Sequence, residues 1–543
     1  MADSSHPSSP SAEDLQQAAQ ILEQVAADRG LLAQLPEEDR QRLLRIVNQV
    51  ALPDRGSRRK LRKEFHRKKQ AALDEQRKAD AERLATTGIR AQYSTRQLKK
   101  PEPPAPFDTP PPALTHDASV ATGEGATGQG AADPLSDWPK LDLPRTCYTC
   151  KAEYDRLHHF YDALCPACSQ LNWTKRNQTC DLSGRVAVVT GARVKIGYQA
   201  ALKLLRAGAH TVVLTRFPRD AARRFLEEAD HEEWRGRLEI HGADLRHTPS
   251  VEALADHLAG TLPRLDFLLN NACQTVRRPP GFYAHLMEGE RRLGESLPDE
   301  ARPMLASYEE LRKQGTRENK PELAGAALAA LGDGLARDSI AGIVKAAELS
   351  QIPLVAGDED RGEHLFPTGQ YDVDQQQVDL RSVNSWRLRL ADVPTVELLE
   401  VQLVNAIAPF ILNARLKPLM TRVPTPDKHI VNVSAMEGVF YRAYKTDKHP
   451  HTNMAKAALN MLTRTSAQDY ARDGIHMNSV DTGWITDEDP AEIAKRKQEE
   501  LGFHPPLDLV DAAARICDPY IDGQLTGNHV WGKFLKDYQV ANW

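Results

Sequence analysis

Two periods of apolar spacing run along this chain. From Asp181 onward, short β-branched or aliphatic runs alternate with segments of helical spacing. Val186-Ala-Val-Val-Thr190 ends at Gly191, and an Ala/Leu-rich helix follows at once, to Leu205. Ala209–Thr215, Leu238–Leu245 and Arg264–Cys273 read as the next three strands, with a helix from about Ser250. Strands that alternate with helices predict a parallel, doubly wound α/β sheet of the Rossmann type. Near the N-terminus the period is helical throughout. Leu15, Ala18, Ile21, Leu22 and Val25 mark one helix, and Leu43, Leu44, Ile46 and Val47 a second, joined near Leu35-Pro36.

The stretches between these patterns set the domain expectations. Residues 1–10 are Ser/Pro-rich, and Ser57–Lys69 is strongly basic, running into a mixed-charge helix to about Leu84. Residues 100–140 alternate stiff proline runs with a loose Gly-rich stretch and read as a linker. The expected division is a helical N-terminal region over 1–99, this linker, a small module over 141–180, and the α/β domain over 181–543.

Composition narrows the class. The chain has 543 residues, 41% hydrophobic and 27% charged, which suits a globular protein with polar appendages. A net charge of -5 gives no global field for nucleic acid, so only the local basic run could serve such a partner. No uninterrupted apolar span near 20 residues and no basic-then-apolar leader are found, so neither a membrane span nor a secretory signal is expected. Scattered cysteines together with two tight pairs fit a reducing, cytoplasmic location.

The pairs are Cys147-Tyr-Thr-Cys150 and Cys165-Pro-Ala-Cys168. Each presents two sulfurs to one ion, so the four close a tetrahedral zinc site of the ribbon type. With all four ligands supplied by protein, the Zn²⁺ is structural, and it supplies the folding energy of a module with little core. His158 and His159, between the pairs, are expected to pack and not to ligate.

The Gly191 turn is built to place backbone N–H groups and a helix N-terminus under a dinucleotide pyrophosphate. Thr190-Gly191, Ile196-Gly197, Asp244-Leu245 after strand three and Asn270-Asn271-Ala272 after strand four together resemble the short-chain dehydrogenase/reductase family. The resemblance continues through Asn405, Ser434, Lys456 and Gly474–Thr486, including Gly483, and covers about Asp181 to Trp543. It implies an NAD(P)-dependent oxidoreductase acting on a carbonyl/alcohol pair of a small molecule. Lys456 would hold the nicotinamide ribose, Asn405 a relay water, and Ser434 the substrate oxygen. Arg216 at the end of strand two, with Arg193 and Lys195 near, favours NADP(H) over NAD(H), because a guanidinium matches a 2′-phosphate.

Four positions depart from the family. Lys195 replaces the middle glycine, Ala435 the serine, Thr452 the tyrosine of Tyr-x-x-x-Lys, and Thr482 the proline of Pro-Gly. An aliphatic hydroxyl is too weak an acid for the tyrosine's role, so Thr452 reads as an N-cap. Tyr441 and Tyr444 on the lengthened loop before Lys456 are the substitutes by position, with His449 and His451 as further candidates. About 130 residues separate Cys273 from Asn405, so an insertion over about 277–395 is expected as a lid, substrate subdomain or oligomer contact. It should be helical at Phe282–Gly289, Ser307–Gln314 and Leu323–Ala336, and extended at Tyr371–Val373 and Trp386–Leu390. Two other functions compete with the oxidoreductase: a catalytically degenerate dinucleotide-binding scaffold, and a nucleic-acid-associated zinc-ribbon protein.

Overall fold

The computed structural model describes residues 10–94, 135–291, 298–317, 340–372, 374–441 and 445–543. Contacts divide the chain into Met1–Ala81 and Glu82–Trp543. In the first unit, helices Ala12–Ala27 and Glu37–Ala51 flank the expected joint, and Arg55–Ala85 begins directly after. Ser11 caps the first helix in a reciprocal pair with Asp14, which satisfies two otherwise orphaned N–H groups. Neither of the first two helices buries a residue. Most of the linker lies outside the described residues.

The second unit is organised by an eight-stranded sheet. Its strands are β3 (Val186–Thr190), β4 (His210–Thr215), β5 (Leu238–Gly242), β6 (Phe267–Asn270), β7 (Lys428–Ser434), β8 (Ile475–Asp481), β9 (Phe534–Lys536) and β10 (Gln539–Ala541). The order is β10-β9-β8-β7-β6-β3-β4-β5, parallel except for β10. The order reverses between β3 and β6, and there the carboxyl ends of the strands open a crevice. β3 is buried along its whole length, as a strand covered by helices on both faces must be.

A short antiparallel pair, β1 (Lys140–Thr146) and β2 (Glu153–Arg156), carries the first cysteine knuckle at its turn. The core of this module is not its own. Leu141, Cys147, Leu157, Tyr161 and Cys165 are buried in one cluster with Ile485, Leu507 and Ala512 of the α/β chain, and Ile196 packs against it. Arg176 fixes the junction with a bidentate pair to Asp508 at 2.6 and 2.8 Å.

The insertion folds back over the sheet. Short helices Pro280–Tyr283 and Met287–Arg291, and the longer Arg302–Arg317, match two of the helical expectations; Leu323–Ala336 lies outside the described residues. Neither expected strand joins a sheet among the described residues, and Val373 lies outside them. Tyr371 makes one isolated bridge to Gln377 across a tight turn, and Ser385–Arg387 is a 3₁₀ turn capped by Asn384, whose side chain accepts from the Trp386 N–H at 3.1 Å. Arg389 makes a second isolated bridge, to Lys448, so each segment pairs at a single point and local side-chain capping takes the backbone around it. Arg277 ties the insertion down, bonding Asp358 at 2.6 Å and Glu400 at 2.7 Å.

The next long helix, Thr395–Thr421, is interrupted by a π turn at Leu403–Ile407 that holds Asn405. By length and hydropathy it could cross a membrane; here its buried face packs on helix Thr248–Thr261.

Candidate active site

A cleft of about 1010 Å³ opens at the carboxyl ends of the strands. Of the residues expected to hold a cofactor, Gly191, Arg193, Lys195, Ile196, Gly197, Arg216, Asp244, Leu245, Asn271, Ala272, Lys456, Gly483 and Thr486 all line it. Thr190 lies behind them as a brace: its hydroxyl accepts from the Ala272 N–H at 2.9 Å. Asn271 donates to the Thr190 and Gly191 carbonyls at 3.0 and 3.2 Å, joining the ends of β3 and β6.

The glycine turn has no room for side chains. Gly191 sits at φ +68, and a Cβ on Gly197 would lie 2.3 Å from Asn271 Nδ2 and 2.5 Å from the Gly191 carbonyl. Lys195, in the middle glycine's place, adopts φ +56, the left-handed backbone that glycine reaches without strain. Burial lowers its pKa, but Glu488, Asp374 and Asp372 more than offset this and keep it an ammonium. Burial raises Asp374 to about 6, against the pull of Lys195.

The three expected cations differ in what they can offer. Arg193 is committed to Asp220 at 2.6 Å and reaches Gln376. Arg216 donates to the Tyr283 hydroxyl at 2.6 Å and lies over the Tyr283 ring, 4.6 Å from its centroid. Among the described residues no carboxylate lies within ion-pair distance of it, although with Arg246 its charge helps hold the buried Asp244 carboxyl below the ordinary range. Asp244 is occupied by Arg246, which bridges on to Glu400 at 2.5 Å.

At the end of the cleft beside β7, Lys456 donates to the Val433 carbonyl at 2.6 Å. Asn405 lies beneath the cleft wall, donating to the Gln274 carbonyl at 3.2 Å and accepting from its N–H at 2.7 Å. Ser434 turns its hydroxyl to Asn460 at 2.6 Å, so the family's serine chemistry has no free hydroxyl on this strand end.

The helix bearing Lys456 begins earlier than the Thr452 cap expected from sequence. Pro450 is its first residue and His449 its cap, at φ 42, so Thr452 is the third residue of the helix, too deep to cap. The Thr452 side chain is buried off the cleft, and its hydroxyl oxygen has no partner among the described residues. Tyr441 is half exposed and away from the cleft lining, and Tyr444 lies outside the described residues. His451 faces Glu397, 3.3 Å away, not the cleft. His449, by contrast, lines the cleft together with Asn453 and Lys456. The spacing i, i+4, i+7 puts these three on one helix face. Burial lowers the His449 pKa, against Glu437 and Asn453, which raise it, and with His451, which lowers it further.

Sequence reasoning overlooked Tyr148, Lys151, Phe217, Tyr283 and Trp386, all in the cleft wall. Tyr148 and Lys151 belong to the first knuckle, and their position was readable only as an interval between cysteines.

The four sulfurs of Cys147, Cys150, Cys165 and Cys168 lie within 4.8 Å of one another, with Cys150 and Cys165 3.6 Å apart. Ligands about 2.3 Å from a tetrahedral zinc stand about 3.8 Å apart. The donor set and its spacing fit that ion.

Comparisons with known proteins agree with this geometry. Residues 185–285 match the family model described as short chain dehydrogenase, and residues 380–507 the one described as enoyl-(acyl carrier protein) reductase. An uncharacterised protein of Acanthamoeba polyphaga mimivirus is 28% identical over 393 residues, 69% of this chain and 71% of its own length. A fatty acyl-CoA reductase of Acinetobacter baylyi is 32% identical over 18% of this chain. Dehydrogenase/reductase SDR family member 13 of Bos taurus is 36% identical over 18%. The matched stretches span 32% and 27% of those two relatives' lengths. Among solved structures, a Sinorhizobium meliloti dehydrogenase/reductase is 17% identical, covering 67% of this chain and 96% of that one, with a TM-score of 0.38. Two stretches of the α/β domain, on either side of the long insertion, thus match the short-chain dehydrogenase/reductase family, as those of a divergent member.

Proposed function

We propose that this chain is an NADP(H)-linked oxidoreductase acting on the carbonyl/alcohol pair of a small molecule, with an active site that departs from its family's. The observation that carries the cofactor choice is Arg216: a guanidinium at the end of β4, oriented by Tyr283 and without a carboxylate partner among the described residues. A 2′-phosphate is the anion such a group would pair with. The glycine turn and the N-terminus of helix Lys195–Arg206 would receive the pyrophosphate, and Lys456 the nicotinamide ribose.

A bound nicotinamide supplies or accepts the hydride. The chain's own task is then the proton. His449 is the group we assign to it, two helical turns before Lys456 on the cleft-facing side. Burial favours its neutral form, so in alcohol oxidation the imidazole takes the hydroxyl proton as hydride leaves the carbon. In the reverse direction the imidazolium returns it. Asn405, at the π turn, fixes the Gln274 backbone beside this end of the cleft.

The cysteine cluster is assigned one structural Zn²⁺, and residues 141–180 are its module, working as one unit with 181–543. Exposed Leu399, Ile407 and Phe410, with Met454 and Met461, offer an apolar surface to a second copy of the chain.

A second reading, a dinucleotide binder without turnover, is favoured by the Ser434 hydroxyl being committed to Asn460 and by the position of Thr452 off the cleft. Titration of the purified protein with NADPH and NADH, followed by a carbonyl and alcohol panel, separates the two. Equal affinity for both dinucleotides sinks the NADP(H) assignment, and NADPH binding without turnover selects the second reading.

A further inference from the structure

The metal module forms part of the wall of the dinucleotide cleft. Tyr148 stands between the ligands Cys147 and Cys150, and its hydroxyl accepts the Trp484 N–H at 2.9 Å. Trp484 follows Gly483 in the segment that lines the nicotinamide end. On the other side, Asp481 accepts from the Gly483 N–H and from the Met436 N–H, each at 2.7 Å. The segment is therefore held from two sides: by the sheet through Asp481, and by the knuckle through Tyr148.

Two further observations tie the knuckle to the cleft. Gly483 has φ +77, and a Cβ there would lie 2.6 Å from Leu507 and 3.7 Å from the Tyr148 hydroxyl, so the segment is pressed closely against this wall. The cluster that buries Cys147 and Cys165 also buries Ile485, and Ile196 of the glycine turn packs on it. One small core thus touches both the expected pyrophosphate site and the nicotinamide end. The knuckle itself is tightly turned: Lys151 takes φ 65, and its N–H returns to the Cys147 carbonyl at 3.2 Å. Without an ion, four thiols give this turn little reason to persist.

We propose that Tyr148 is a positioning residue through which metal loading of the knuckle sets dinucleotide affinity. It holds Gly483–Thr486 in the conformation that receives the nicotinamide end, and an empty knuckle releases it. This depends on the dinucleotide reading above. The ion is a thiolate-binding divalent metal, with zinc as the probe.

The test is a cycle of four NADPH titrations of the full chain: zinc-loaded and zinc-stripped, each as wild type and as Tyr148→Phe. Amide exchange at Trp484 is read in parallel. Loss of one well-made hydrogen bond predicts a roughly 3- to 10-fold weaker NADPH affinity for loaded Tyr148→Phe, with full zinc content and faster exchange of the Trp484 amide. Stripping should weaken the wild type at least as much, and it should add little to Tyr148→Phe, because both act through one contact. If stripping unfolds the unit, the loaded pair of proteins decides alone. Wild-type affinity in loaded Tyr148→Phe, an unchanged Trp484 exchange rate, or two effects that multiply would overturn the proposal. A loaded wild type that fails to bind NADPH overturns the dinucleotide reading and the affinity claim together. Normal NADPH binding that is indifferent to Tyr148→Phe overturns this inference alone.

Discussion

Trp386 and His449 stack face to face, with ring centroids 3.9 Å apart and planes 6° from parallel. Trp386 comes from the insertion and His449 from the cap of the Lys456 helix, so the insertion supports the one imidazole assigned a proton-transfer role. The His449 N–H donates to the Leu388 carbonyl at 2.7 Å, which holds the left-handed cap in place.

His449→Gln should therefore remove turnover by about 100-fold or more while leaving NADPH affinity within about twofold, because general acid–base catalysis contributes on that scale. The pH dependence has a definite sign. A neutral imidazole accepts the proton, and burial lowers its pKa from the ordinary value near 6.5. Alcohol oxidation should hold to below about pH 6.5 and then fall as the ring protonates. An identical acid limb in His449→Gln assays of residual activity would assign the proton elsewhere, with Tyr441 and Tyr444 next to be tested as Phe variants.

Arg216→Ala should weaken NADPH binding by roughly 10- to 100-fold, the range for a lost charge-assisted hydrogen bond, and leave NADH binding nearly unchanged. Fluorescence titration with both dinucleotides measures this. Arg193→Ala should act on both dinucleotides alike, because Arg193 is engaged with Asp220. A selective NADPH loss in Arg193→Ala would reverse the roles given to the two arginines.

One zinc per chain is expected by elemental analysis, lost in a Cys147→Ser, Cys165→Ser double variant. The buried cluster joins Cys147 and Cys165 to Ile485, Leu507 and Ala512, so the loss should lower the unfolding temperature of the α/β unit as well. Two separable transitions, with the upper one unmoved, would show that the cores are independent.

Gly197→Ala should abolish dinucleotide binding and destabilise the chain. The new methyl carbon would sit at 2.3 Å from Asn271 Nδ2 and 2.5 Å from the Gly191 carbonyl, so the brace between β3 and β6 must open. Overpacking of this kind costs about 1–3 kcal/mol. Circular dichroism melts and NADPH titration report the two effects separately.

Thr452→Val should stabilise the protein, by about 1–2 kcal/mol, because it removes a buried hydroxyl that has no partner among the described residues. It should leave NADPH affinity unchanged, since the side chain is off the cleft. A drop in turnover with unchanged folding would instead show that the Thr452 hydroxyl takes part in the reaction despite its weak acidity.

Much of the sheet was legible in the sequence because its information is local. Five-residue apolar runs, a glycine turn and helical periods each declare their element without reference to distant chain, and their alternation dictates parallel pairing. The same holds for the two cysteine pairs, where spacing alone brings sulfurs to one point. The sequence also indicated which residues would gather at the crevice, because family-like positions follow consecutive strand ends. What only the tertiary structure decided concerns partners far apart in the chain. Arg193 is paired with Asp220 while Arg216 has no carboxylate partner among the described residues. That difference depends on side-chain reach, not on sequence distance. Thr452, at the family tyrosine's position, reads as a helix cap, but Pro450 and the left-handed His449 start the helix three residues earlier and Thr452 is buried. The segments of Tyr371 and Trp386 read as extended, yet among the described residues they make single bridges, to Gln377 and Lys448, and local turns take the backbone around them. Most of all, no local pattern placed Tyr148 against Trp484, residues separated by 336 positions, because that contact exists only once the metal module and the end of β8 bury one core together.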